Sequence, residues 1–124
     1  MAKTPSIRWL TEPEAQNYPN AYQYLLLTHS PLQAANIVAA LKIAPIIEFK
    51  AKDIFRASQL SLLGVSNTHV QRDKRKIKNG QVLSPILIVR NINLNKIIIA
   101  DGYHRLCAVY SYCEDCNIPC KIVT

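Results

Sequence analysis

Two β-branched apolar runs constrain the fold of this chain more than any other feature. Pro85-Ile-Leu-Ile-Val-Arg90 and Lys96-Ile-Ile-Ile-Ala100 stand on either side of Asn91-Ile-Asn-Leu-Asn95. Branching at Cβ favours extended backbone and the asparagine-rich connection favours a turn, so the pair predicts a β-hairpin. The second run is almost continuously apolar, which predicts a strand covered on both faces.

The other segments alternate between helical and extended patterns. Trp9 to Pro19 is polar and interrupted by proline, an arm or loop with Trp9 as its anchor. A helix is expected over Asn20 to Thr28, with Tyr22, Leu25 and Leu26 on its apolar side. Ser30-Pro31 supplies an N-cap and first-turn proline for a second helix to Lys42. Its Ala34, Ile37, Val38 and Leu41 fall at the spacing of one buried face. Ile46 to Lys50 is expected as a strand, and Asp53 to Arg56 as a turn of helix or a continued edge. Ser66 is placed to cap a third helix through Lys78, closed by Gly80. A last helix from Tyr103 to Cys113 and a strand from Pro119 to Val123 complete an α+β pattern.

The length of 124 residues suits one compact unit, with residues 1–45 forming an arm and helices packed on a core built from residues 46–124. Hydrophobic residues make up 49% and charged residues 19%, which excludes wholesale disorder. No apolar run approaches the roughly 20 residues of a membrane span. Met1-Ala2-Lys3-Thr4-Pro5 lacks the apolar core of a secretory signal, so the expectation is a cytoplasmic protein without a membrane partner. A homo-oligomer stays open.

The net charge of +7 is unevenly spread. Its surplus lies between Lys42 and Arg105, densest at Arg72, Lys74, Arg75, Lys76 and Lys78, with Asp73 as the one acid among them. Such a run attracts nucleic acid, or forms a solvated helix face. Lys74, Arg75 and Lys76 are consecutive and spread round a helix. No aromatic residue interleaves them, as a single-strand reader would require.

Cys107, Cys113, Cys116 and Cys120 occupy the last eighteen residues. They contain one C-x-x-C, half of a zinc knuckle, and the alternatives are a zinc site, a disulfide, or packing with incidental thiols. Without a secretion signal the expectation is packing. Of the histidines, His29 is expected at a turn and His69 as an ordinary surface group.

The residues with the clearest chemistry are Ala100-Asp101-Gly102-Tyr103-His104-Arg105, at the junction of the second strand with the last helix. Asp101 is placed to cap the helix, and Gly102 permits a sharp turn or the close approach of a ligand. A helix N-terminus offers free N–H groups and partial positive charge, which suit a phosphate. Arg105 is placed to add a bidentate contact, and His104 to donate a hydrogen bond or move a proton near neutral pH.

Residues Ile98 to Ala108, followed by Ile118-Pro-Cys-Lys-Ile-Val123, resemble the ParB/sulfiredoxin superfamily. The loop G-E-R-R-x-x-A of partition proteins is matched by Gly102, Arg105 and Ala108. The G-G-C-H-R of sulfiredoxins is matched by Gly102, His104 and Arg105. The D-G-H-H-R of other ParB-like proteins, free-serine kinases among them, is matched by Asp101, Gly102, His104 and Arg105. Leu83-Ser-Pro-Ile-Leu-Ile-Val89, preceded by Gly80-Gln81, is similar to the strand that enters the motif in ParB-like domains. The resemblance spans about Ile46 to Val123 and leaves the N-terminal helices as an extension.

This resemblance implies a mixed sheet with packed helices, and a nucleotide or phosphorylated small molecule bound at Asp101, Gly102, Tyr103, His104 and Arg105. It implies His104 as a catalytic group, and a carboxylate near the phosphate, for which Glu48 and then Asp53 are the candidates. Mg2+ accompanying the nucleotide would be held with help from Asp101. Tyr103 stands where sulfiredoxins carry their reactive cysteine, so sulfinic acid reduction is not expected. The chain stops at Thr124 without the helix-turn-helix domain of partition proteins, so partitioning is not expected either. Two function classes follow: a phosphate-binding domain acting as a phosphotransferase or phosphohydrolase, or a non-catalytic nucleic-acid-binding or regulatory module using residues 72–78.

Overall fold

The computed structural model describes residues 6–61 and 67–124. The Met1 to Pro5 stretch and the expected cap Ser66 lie outside the described residues. The elements are β1 (Arg8–Trp9), α1 (Asn17–Leu25), α2 (Pro31–Ile43), β2 (Ile47–Lys50), α3 (Ala51–Ser58), α4 (Thr68–Lys78), β3 (Val82–Leu83), β4 (Ile86–Asn91), β5 (Lys96–Asp101), α5 (Tyr103–Tyr112) and β6 (Asn117–Val123). The fold is mixed α+β.

Four strands form a mixed sheet in the order β2-β6-β4-β5. β4 and β5 are the antiparallel hairpin that the two apolar runs predict, β4 runs parallel to β6, and β2 runs antiparallel to β6. A separate two-stranded sheet pairs β1 with β3 and brings Trp9 against the core.

Strand alternation divides the core between the two faces of this sheet. Ile86 and Ile88 of β4 point with Ile99, Ile118 and Cys120 toward a cluster that includes Ile54 of α3, Val70 and Ile77 of α4, and Leu106 and Val109 of α5. Leu87 and Val89 point the other way with Ala100, toward Ala21 and Leu25 of α1 and Ala34, Val38 and Leu41 of α2. The N-terminal helices therefore form one complete layer of a three-layer arrangement.

The covered strand is β4 and not β5. Residues Ile86 to Val89 are all buried, while Lys96 to Ile98 are partly exposed because β5 lies at the sheet edge. The Ile-Ile-Ile run reflects packing on both faces of an edge strand whose outer side is open.

Local sequence accounts for the helix boundaries. Ser30 accepts a hydrogen bond from the Gln33 amide and Gln33 returns one from the Ser30 amide, closing a capping box before Pro31. α1 begins at Asn17 and ends at Leu25, rather than spanning Asn20 to Thr28. Pro19 sits in its first turn, where a missing N–H costs nothing. Asn17 is held by the Ser84 hydroxyl, which also accepts from the Glu14 amide. The Asp53 to Arg56 segment belongs to α3. The cap of α4 is Asn67, whose Oδ1 accepts from the His69 and Val70 amides at 3.0 and 3.2 Å.

Lys121 is 1% exposed, on the β6 face toward α2. Its ammonium donates to the Lys42 carbonyl at 2.9 Å and pairs with Glu12 at 3.1 Å. Burial pulls its pKa down, but hydrogen bonds to Tyr18 and Glu12 outweigh burial and hold it above the ordinary lysine value. One buried cation thus ties the end of α2 and the N-terminal arm to the central sheet.

Candidate functional site

The strand-to-helix junction at residues 101–105 is built differently from its sequence expectation. Asp101 is the last residue of β5 and does not cap α5. The N-cap is Gly102, at φ +112°, and no side chain caps the helix. The Asp101 carboxylate instead accepts from the Arg105 guanidinium at 3.0 Å, each side chain being 16% exposed. Burial raises the Asp101 pKa above the usual carboxylate value, against the opposing pull of Arg105.

Gly102 serves this pair rather than the approach of a ligand. A Cβ on Gly102 would lie 2.8 Å from Arg105 Nη2 and 2.9 Å from Ile86 Cγ1. Only glycine combines that backbone conformation with that clearance. Arg105 also reaches the Pro85 carbonyl at 3.4 Å, and its Nε is buried without a hydrogen-bond partner. Its guanidinium braces the loop from within.

Tyr103 is also turned to structural use. Burial, together with a hydrogen bond to Cys107, pushes its hydroxyl up to about 12, so it carries no mobile proton near neutrality. His104 is partly exposed, like the rest of residues 101–105. Its ring centroid lies 4.8 Å from that of His69, tilted by 34°. His69 is the second residue of α4 and His104 the second residue of α5, so two helix starts present a pair of imidazoles.

Asp73 lies one turn along α4 and is 2% exposed. One carboxylate oxygen is 3.8 Å from Arg72 Nε, and the other has no hydrogen-bond partner. The His104 pKa is lowered, first by burial, then by His69, Arg72 and Arg105, with Asp73 opposing. The buried carboxylate closest in effect to His104 is therefore Asp73.

Glu48 is not brought to this group. It is exposed on the edge strand β2, while Asp101 ends the opposite edge strand β5. Three strand spacings of about 4.8 Å each separate the two edges. Asp53 lies on α3, half exposed, and faces Arg56 at 4.0 Å. It lines a largely apolar cleft of about 330 Å³ with Phe49, Ile88 and Arg90. Neither residue is placed to act with His104.

Of the basic run, Arg72, Arg75 and Lys78 are exposed at three-residue spacing on α4, opposite its buried Val70, Asp73 and Ile77. Lys74 and Lys76 are partly buried, and the Lys74 ammonium lies 5.8 Å from the Tyr112 ring centre. The five cations do not form one surface.

The cysteines separate into two kinds. Cys113 and Cys116 form a disulfide, contrary to the expectation of incidental thiols, and Cys107 and Cys120 are buried in the core. Burial pushes the Cys120 thiol up to about 12. Among the described residues no three of His, Cys, Asp and Glu converge as a metal-binding group. Asp101 is committed to Arg105, so its carboxylate does not fit the Mg2+ role expected of it.

Sequence reasoning missed His69 and Asp73. Asn67 followed two residues later by His69 repeats the spacing of Gly102 to His104, and that parallel was the available signal. No helix is long and apolar enough to cross a membrane among the described residues. Comparison with protein-family models, with curated proteins and with solved structures found no match to the chain.

Proposed function

We propose that the chain is a ParB/sulfiredoxin-like domain that binds a nucleotide or phosphorylated small molecule at the start of α5, with His104 and His69 on the ligand. The observation that carries this reading is the pair of imidazoles at two helix starts, one of which has no side-chain cap. Amides at a helix start favour an anion through their unpaired N–H groups and the helix dipole. Each imidazole adds a hydrogen bond that strengthens when it is protonated. Arg105 is a positioning residue in this reading: it fixes Gly102 and Asp101, and so aims the amides that follow. A phosphotransferase or phosphohydrolase would use His104 as its proton-transfer group.

Calorimetric titration with inorganic phosphate, AMP and ATP at pH 6.0 tests the reading. Binding of at least one is expected, and His104→Asn and His69→Asn should each weaken it by about tenfold or more, the loss of one charge-assisted hydrogen bond. Both variants remain folded by thermal melting if the rings are not part of the core. No binding of any of the three, or binding unchanged in both variants, overturns it.

The exposed Arg72, Arg75 and Lys78 favour a second reading, a module that docks on nucleic acid through α4 without catalysis. Gel shifts with single- and double-stranded DNA and with RNA test it. The affinity should fall steeply between low and physiological salt as phosphate contacts release counterions. An absent or salt-insensitive shift removes it.

A further inference from the structure

The turn that joins α5 to β6 has a chemistry of its own. Cys113 caps the end of α5, Cys116 comes immediately before β6, and only Glu114 and Asp115 separate them. Both cysteines are partly exposed, in contrast to the buried Cys107 and Cys120.

Backbone contacts shape this turn alongside the sulfur bond. The Cys113 amide donates to the Val109 carbonyl at 2.9 Å, and the Cys116 amide to the Cys113 carbonyl at 3.2 Å. Outside the turn, the Ala51 and Lys52 amides of α3 donate to the Cys116 and Glu114 carbonyls, each at 2.9 Å. Lys52 and Asp115 add an ion pair at 2.7 Å. α3 has no side-chain cap, so the turn supplies the acceptors that its first amides need. With these contacts and the sulfur bond in place the two Cα atoms are 5.3 Å apart, within the range a disulfide spans. At that separation, once one of the two sulfurs is in a mixed disulfide, the thiolate of the other attacks it at a high effective concentration.

We propose that Cys113 and Cys116 form a reversible dithiol–disulfide couple, exchanging with small-molecule disulfides of the glutathione type. The thiolate of one cysteine attacks a sulfur of the external disulfide, making a mixed disulfide and releasing one small thiol. The second cysteine then attacks the protein sulfur of that mixed disulfide, forming the Cys113–Cys116 bond and releasing the second small thiol. The protein loses two electrons and two protons, and the external disulfide gains both. Exposure gives the reagent access, and the preformed turn makes the second step fast enough that the mixed disulfide does not accumulate. The same turn caps α3, so the oxidation state is felt at the first turn of that helix.

The test uses the full chain, reduced and freed of reductant, then exposed to excess oxidised glutathione without denaturant. Acid quench, alkylation and intact mass measurement count thiols and adducts. The wild-type protein should lose two of its four thiols with no glutathione attached, and dithiothreitol should restore both without unfolding. Cys113→Ser and Cys116→Ser should each retain one glutathione, and the double variant should keep its two remaining thiols unmodified. Four thiols remaining in the wild type, a lasting glutathione adduct on it, or recovery only after denaturation would each overturn the proposal. The wild-type count stands on its own if a variant fails to fold.

Discussion

Arg105 holds the Asp101 carboxylate at 3.0 Å across the first turn of α5, and the guanidinium lies over Gly102 in doing so. The residue that looked most like a phosphate ligand is thereby committed inside its own loop. The imidazole of His104 faces that of His69 on the neighbouring helix instead.

Gly102→Ala should destabilise the fold by about 3 kcal/mol, the sum of a left-handed backbone penalty and the displacement of two packed groups. The new methyl would meet Arg105 Nη2 and Ile86 Cγ1 inside 3 Å. Urea unfolding measures the loss; a change below about 0.5 kcal/mol, the scale of an ordinary surface substitution, contradicts the account.

Stability should fall as pH drops through the ordinary histidine value of 6.5, in proportion to His104. Burial, His69 and the nearby arginines lower the His104 pKa in the folded chain, so the unfolded chain takes up the proton first. The His104 contribution is complete above the unfolded value and is lost as pH falls toward the folded one. Denaturation midpoints between pH 7.5 and 5.5 should slope downward for the wild type and less so for His104→Gln. Equal slopes contradict the assignment.

Asp73→Asn should lower the His104 titration midpoint further. The Asp73 carboxylate favours the imidazolium, and the amide removes its charge while keeping its shape. NMR titration of the His104 ring reads the midpoint directly. An unchanged or raised value would show that Asp73 does not act on His104.

Lys121→Ala should cost about 2–4 kcal/mol, because the Lys42 carbonyl loses its buried donor and the apolar stem leaves a gap. Lys121→Met keeps the stem, so it should recover part of that loss. The two variants melting alike would assign the whole effect to the hydrogen bond.

Much of the fold was legible because the signals were local. The β4–β5 hairpin followed from composition and turn chemistry, and the N-cap at Ser30 from Ser30-Pro31, though the reciprocal bond from Gln33 was not foreseen. The burial of β4 over β5 was not legible. Both runs are apolar, and only β6, arriving from beyond α5, decides which becomes the inner strand. The candidate site was half legible for the same reason. Asp101 to Arg105 are neighbours in sequence, but His69 meets His104 only through the packing of α4 on α5. That Glu48 lies at the far edge of the sheet from Asp101 was not legible, because a strand's existence says nothing of which edge it will occupy. Asp101 as a cap was reasonable from position, but Arg105 four residues on offered its carboxylate a stronger partner.

The three-layer arrangement has a consequence for the order in which the chain becomes ordered. α1 and α2 are synthesised before the sheet they cover, and apart from each other their apolar sides have no partner until Leu87, Val89 and Ala100 have been made. The short-range β4–β5 pairing precedes any closure over such a separation, since long loops cost more entropy to close. Until the sheet arrives, the parts of these two helices that do not face each other lack cover, and exposed apolar surface of that kind favours association between nascent chains.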